Sequence, residues 1–221
     1  FGPAADLYYD LTQLADEGTI RGFITNTSNY SALVEPFFTT TTNVGGMQAR
    51  ASDWASYNDY IDELSFAQAF RQALISRGVD PSIGMIIDTS RNGWGGSNRP
   101  SGPSSSGNVD TFVDESRIDR RIHAGNWCNQ SGAGMGERPQ ANPEPGIHAY
   151  AWIKPPGESD GSSELIMNND GKGFDRMCDP TYEGNRLNGN SRTGALPNAP
   201  ISGAWFPAQF EELMRNAHPS L

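Results

Sequence analysis

The run Gly84-Met85-Ile86-Ile87-Asp88 constrains this chain more than any other stretch. It reads as the buried part of a strand from Ser82 to Asp88, and a buried strand requires neighbouring strands and a covering layer. The covering layer is legible just upstream. Residues Tyr57 to Arg77 place Leu64, Ala67, Phe70, Ala73 and Leu74 on one helical face, with Gly78 as the cap. The same order occurs once before: Leu7, Leu11 and Leu14 predict a helix over Pro3 to Glu17, Gly18 stops it, and Gly22 to Ser28 follows as a short strand. A third strand is expected from Ile147 to Ile153 and a last helix from Ala204 to Ala217. Helix followed by strand, repeated, predicts parallel pairing in an α/β fold. Three strands make an open half-sheet, since closing a barrel takes about eight in the usual case. The chain therefore reads as the C-terminal part of a single larger domain.

From Thr89 to about Pro145 the chain reads as loop-rich, with Ser104-Ser105-Ser106-Gly107 as a flexible tip. The 25 glycines and 15 prolines agree with long ordered connections around a core. A formal charge of −10 excludes a nucleic-acid footprint, which needs clustered Lys and Arg, and points to a neutral or cationic ligand. No stretch approaches the ~20 apolar residues of a membrane span, and no signal peptide opens the chain. A soluble protein, already processed or cut, is expected.

Chemistry is expected at Ala151 to Gly161, where a strand runs into the turn Lys154-Pro155-Pro156-Gly157-Glu158-Ser159-Asp160. Side chains at the end of such a strand are displayed at one sheet edge, where reacting groups sit on α/β scaffolds. Lys154, Glu158 and Asp160 can converge there, although ordinary turn chemistry also selects Pro, Gly and Asp. Cys128 and Cys178 lie in the most loop-like region and suggest a disulfide in an oxidising, secreted setting; two free thiols are the alternative. If bonded, they close a loop of about 50 residues, worth roughly 4 kcal/mol on the chain-entropy model. A loop of that length is usually a lid or a binding wall.

Other constellations are weaker. His123, His148 and His218 lack metal-ligand spacing. Asn168-Asn169-Asp170-Gly171 has the start of a calcium loop without its later acidic ligands. No metal and no cofactor are expected. Asn26-Thr27-Ser28, Asn29-Tyr30-Ser31 and Asn129-Gln130-Ser131 fit the glycosylation pattern.

Four blocks carry a resemblance: Arg121 to Asn129 (Arg-Ile-His-Ala-Gly-Asn-Trp-Cys-Asn), Gly136 to Pro139, Trp152 to Gly161, and Gly203 to Ser220. Asp88 to Gly93 and Asn26 to Tyr30 extend it over nearly the whole chain. In order and spacing these blocks resemble glycoside hydrolase family six, the secreted cellulases, and among them the bacterial exo-acting cellobiohydrolases. The resemblance implies the C-terminal half of a distorted seven-stranded TIM-like parallel β/α barrel with long disulfide-tied loops. It implies hydrolysis of β-1,4-glucan with inversion, and cellulose and cello-oligosaccharides as partners of a secreted enzyme that is a monomer when complete.

Residue by residue, Trp127 matches the family's sugar platform, and an indole face suits the apolar C–H face of glucose. Lys154 and Glu158 match residues that bind sugar hydroxyls on the non-reducing side of the cleavage point. Asp160 matches the carboxylate assigned as catalytic base, with charge balance as its other reading. Asn29 matches a substrate-binding residue. The family's general acid falls outside the matched region. Asp88 ends a strand but matches a different family strand and is not taken as the acid. The 221 residues alone are therefore expected to be inactive. An endoglucanase of the same family and a non-catalytic glucan-binding protein are the competing readings.

Overall fold

In the computed structural model, residues 2–16, 18–167 and 171–221 are described. The order is α1 (Gly2–Thr12), β1 (Gly22–Thr25), β2 (Asn43–Val44), β3 (Met47–Gln48), α2 (Glu63–Ile75), β4 (Gly84–Asp88), α3 (Val109–Ser116), β5 (Gln140–Glu144), β6 (Ile147–Ala151) and α4 (Pro207–Arg215). Strands β1, β4 and β6 pair in parallel, as helix-then-strand alternation predicts. A fourth strand, β5, runs antiparallel along β6 and completes the sheet order β1-β4-β6-β5.

One face of the sheet carries the main core. Met85 and Ile87 of β4, and Ile147 and Tyr150 of β6, pack against Ala67, Phe70 and Leu74 of α2 and Ala5 of α1. On the other face the His148 ring presses so closely on Gly84 that a Cβ there would overlap it. A second cluster, Phe38, Val44, Ala49, Val109, Phe112 and Val113, joins α3 to the β2–β3 hairpin. A third, Tyr30, Trp94, Ala133, Met135 and Leu213, packs against Trp152 just past β6 and joins it to α4.

Every expected element exists, each shorter than periodicity suggests, and local chemistry sets each end. Helix α2 starts at Glu63 and not Tyr57, because Asp62 caps it by accepting from Ser65 N at 2.9 Å while Ser56 and Tyr57 adopt left-handed φ of 45° and 60°. Strand β1 stops at Thr25 because Asn26 and Ser28 are left-handed. Strand β6 stops at Ala151 because the N–H groups of Ile153 and Lys154, two and three residues on, donate to the Asp88 carboxylate and leave the ladder.

Two expectations need correction. The stretch 89–145 is not all loop, since it holds α3 and β5. Strand β5, Gln-Ala-Asn-Pro-Glu, has no strand-forming composition; it survives as an edge strand, where Pro143 costs no central ladder bond. The leucines that defined the first helix do not face the core: Leu7, Leu11 and Leu14 are 59%, 51% and 84% exposed, and the helix packs instead through Ala5 and through Tyr8 edge-on to Phe23 and Phe70. The calcium-loop residues 168–170 lie outside the described residues, among which no cluster suited to a metal occurs.

Candidate active site

The C-terminal ends of β1, β4 and β6 are stitched crosswise. Asn26 Nδ2 donates to the Asp88 carbonyl at 2.8 Å, and the Asp88 carboxylate accepts from the N–H groups of Ser90, Ile153 and Lys154 at 3.0, 3.3 and 2.9 Å. Asp88 is 1% exposed and both of its oxygens are engaged. It braces the chain as it leaves β6 and has no geometry for proton donation to a ligand.

The turn after β6 is strapped to the segment before α4. Ser159 N donates to Ala204 O at 2.9 Å, Gly203 N to Ser159 O at 2.9 Å, and Phe206 N to Gly157 O at 2.7 Å. Gly157 has φ 84°, and a Cβ there would run into the Trp205 ring, so glycine is required twice over. Pro155-Pro156-Gly157 thus serves a rigid turn that raises Lys154, Glu158 and Asp160 together. Lys154 Nζ lies 2.6 Å from Glu158 Oε1 and 3.7 Å from Asp160 Oδ1.

The Asp160 side chain is 4% exposed and pairs with Arg91, which is fully buried, at 2.9 Å to each oxygen. Its Oδ2 also accepts from the Tyr30 hydroxyl and from Asn129 N, both at 2.8 Å. Tyr30 is buried, which pushes its phenol well above the ordinary value despite the Arg91 guanidinium 4.1 Å over its ring. It therefore remains a donor. Asn129 Oδ1 accepts from Asp160 N at 2.9 Å and from Gln209 Nε2 of α4 at 3.0 Å. The two oxygens differ: Oδ2 is crowded with donors, whereas among the described residues Oδ1 meets only Arg91 and the more distant Lys154 and has room for one more hydrogen bond.

Cys128 and Cys178 form a disulfide, with Cα atoms 5.1 Å apart. The bond sits next to Asn129 on one side and packs against Gly161 on the other, so it pins both neighbours of the carboxylate. Half-buried Trp127 precedes it. Asn126, fully buried, anchors the approach to Trp127 through Arg192 O at 2.9 Å and Asn188 Nδ2 at 3.0 Å.

Of the residues expected from sequence, Lys154, Glu158 and Asp160 are brought together, while it is Tyr30, next to Asn29, and Asn129, two residues past Trp127, that reach Asp160. Two glycosylation motifs are ruled out by burial, since Asn26 is 9% and Asn129 0% exposed. Sequence reading did not single out Arg91, Tyr30, Asn129, Gln209 or Arg121. All five lie inside blocks that carried the resemblance, but nothing in a lone Arg or Tyr announces that it will be buried against a carboxylate.

A family model described as glycosyl hydrolases family 6 matches residues 1–217. The chain belongs to glycosyl hydrolase family 6. Within family 6 it is 44% identical to exoglucanase A of Cellulomonas fimi over 225 residues, covering 99% of this chain and 26% of that protein. A 1,4-beta-D-glucan cellobiohydrolase Cel6A of Pyricularia oryzae is 33% identical, with 99% and 35% covered. A Fusarium oxysporum protein named an endoglucanase of type B is 30% identical over 99% of this chain and 37% of its own length. Among solved structures, the catalytic domain of Cellulomonas fimi Cel6B superposes with a TM-score of 0.95 at 42% identity, covering 100% of this chain and 51% of that one. Humicola insolens cellobiohydrolase Cel6A in complex with methyl-tetrathio-α-D-cellopentoside gives a TM-score of 0.68 at 27% identity, covering 100% and 46%. This family 6 chain thus spans about half of the solved catalytic domains it matches and a smaller share of the full-length relatives.

Proposed function

We propose that the protein carrying this chain hydrolyses β-1,4-glucosidic bonds of cellulose with inversion and releases cellobiose processively from chain ends. The 221 residues supply the water-activating side of the cleft. The observation that carries the reading is Asp160: a carboxylate fixed by Arg91, Tyr30 and Asn129, with capacity left on Oδ1. In this mechanism water attacks the anomeric carbon and gives its proton to Asp160 Oδ1, the C–O bond to the leaving glucan breaks, and a general acid protonates the departing oxygen. Inverting carboxyl pairs stand about 6.5–9.5 Å apart, leaving space for that water. The acid comes from polypeptide outside these residues, in keeping with the fraction of the Cel6B domain that they cover.

Trp127 stacks on a glucosyl face, Lys154 and Glu158 hold hydroxyls, and Asn29 contributes a further hydrogen bond. The segment from Lys154 to Pro200, tied down at Cys178, roofs the cleft, which favours exo over endo attack. The disulfide supports a secreted, extracellular enzyme. An endoglucanase is the second reading, and the name of the Fusarium oxysporum relative favours it.

The test is product release from amorphous cellulose by the full-length protein and by residues 1–221 alone. Full-length protein yielding mainly cellobiose, with none from the 221-residue chain, is expected. Random-length products would establish the endo reading, and no product from the full-length protein would leave a glucan-binding protein.

A further inference from the structure

Asn29 stands just past β1, beside a cavity of about 560 Å³ whose lining includes Thr25, Asn29, Ser31, Trp54, Glu63 and Arg121. Its Oδ1 accepts two hydrogen bonds, from Tyr30 N at 2.9 Å and from Arg121 Nη1 at 3.1 Å. Both partners are donors only. Rotating the carboxamide by half a turn would set its NH2 against two N–H groups, so the orientation is fixed by chemistry.

Arg121 is itself held without slack. It is 4% exposed and pairs with Asp119, 1% exposed, through Nη2 at 2.6 Å and Nε at 3.0 and 3.1 Å. It also donates to Ser31 Oγ, Ala124 O and Asn126 O at 3.1, 3.0 and 3.1 Å. The loop carrying this pair is clasped by the buried Glu35 carboxyl group, whose oxygens accept from Ile118 N at 2.7 Å and Asp119 N at 3.1 Å. One guanidinium therefore ties Asn29, four residues past the end of β1, to the backbone immediately ahead of Trp127.

We propose that Arg121 is a positioning residue that locks the Asn29 carboxamide with Nδ2 toward the ligand, so that Asn29 recognises a glucan oxygen as donor only. This deepens the glucan-hydrolase reading and rests on it. The polarity separates recognition from mere support. An aspartate at 29 keeps an oxygen for Arg121 and Tyr30 N, and adds an ion pair, yet presents an acceptor where the amide presented a donor.

The experiment measures binding of methyl-tetrathio-α-D-cellopentoside, whose sulfur linkages resist hydrolysis, to the full-length protein by calorimetry, with thermal unfolding alongside. Asn29→Asp is expected to raise Kd about tenfold or more with an unfolding midpoint equal to or above wild type. Arg121→Lys is expected to weaken binding in the wild-type background and to add little in the Asn29→Asp background. Asn29→Asp binding within twofold of wild type, or Arg121→Lys weakening both backgrounds equally, overturns the inference and leaves the hydrolase reading standing. Should Arg121→Lys fail to fold, Asn29→Asp decides alone. Wild-type protein that does not bind the probe overturns both.

Discussion

Asp160 and Asn129 hold each other by two reciprocal hydrogen bonds: the backbone N–H of Asn129 donates to Asp160 Oδ2 at 2.8 Å, and the backbone N–H of Asp160 donates to Asn129 Oδ1 at 2.9 Å. The pair joins two loops 31 residues apart in sequence, and Arg91 closes it from below. The carboxylate is thereby fixed by backbone as well as by charge, the condition for a group that must meet a water at one angle.

Replacing Asp160 tests stability and chemistry separately. Asp160→Ala leaves Arg91 buried without its counter-charge and should cost about 3–5 kcal/mol in denaturant unfolding. Asp160→Asn keeps the shape and most of the hydrogen bonds, so its stability loss should be smaller. In the full-length protein, both should lower kcat on cello-oligosaccharides by about 10²–10⁴-fold, the range of a lost general base. An Asp160→Asn enzyme with wild-type kcat would remove Asp160 from the chemistry.

The disulfide should matter to both stability and site. It closes a span of 50 residues, so Cys128→Ala with Cys178→Ala should cost roughly 4 kcal/mol on the chain-entropy model. Because Cys128 adjoins Asn129 and Cys178 packs on Gly161, KM should rise as well. Urea midpoints and steady-state kinetics on the double variant give the two answers, and an unchanged midpoint would contradict this account.

Glu63 gives stability a defined pH slope. Burial pushes its carboxyl from 4.5 up to about 7, against the opposing pull of the Thr25 and Ser31 hydroxyls and the Arg121 charge. Between those values the folded chain keeps a proton that the unfolded chain releases, so rising pH favours unfolding. The contribution is complete below about 4.5 and lost above about 7. Glu35, raised by burial to about 8, acts in the same direction. Glu63→Gln should therefore show a smaller loss of urea midpoint between pH 5 and pH 8 than wild type, and parallel profiles would refute the assignment.

The outer edge of β1 has no strand partner among the described residues, and Ile24 on it is 50% exposed. With Leu7 and Leu11 of α1 and Leu14 just after it also exposed, the isolated 221-residue chain should self-associate in sedimentation velocity. Ile24→Lys should reduce that association. A monomer at every concentration would show that this face needs no cover.

The parallel sheet was legible because burial leaves a direct trace: Met85-Ile86-Ile87 has no other reasonable fate, and α2 repeats at 3.6 residues. Strand β5 left no trace, since an edge strand of Gln, Asn and Pro is held by its neighbour and not by its own side chains. The first helix misled in another way. Its leucines are real, but tertiary packing chose Ala5 and Tyr8 for the covered face. At the site, Lys154, Glu158 and Asp160 were readable because one turn carries them all. Arg91, Tyr30 and Gln209 reach the same carboxylate network from positions 69, 130 and 49 residues away from Asp160 in the chain, and separations of that size are invisible to local pattern.

The strap between the Gly157–Asp160 turn and the segment before α4 imposes an order of events at the ribosome. Asp160 emerges long before Gln209, whose side chain supports Asn129 and Tyr30, and before Ala204 and Phe206, which fasten the turn. During that interval the nascent chain carries the carboxylate on an unfastened turn. A product stalled before α4 emerges would thus hold Arg91, Lys154, Glu158 and Asp160 without the fastening of their turn, so synthesis of α4 sets the moment at which this side of the cleft takes its geometry.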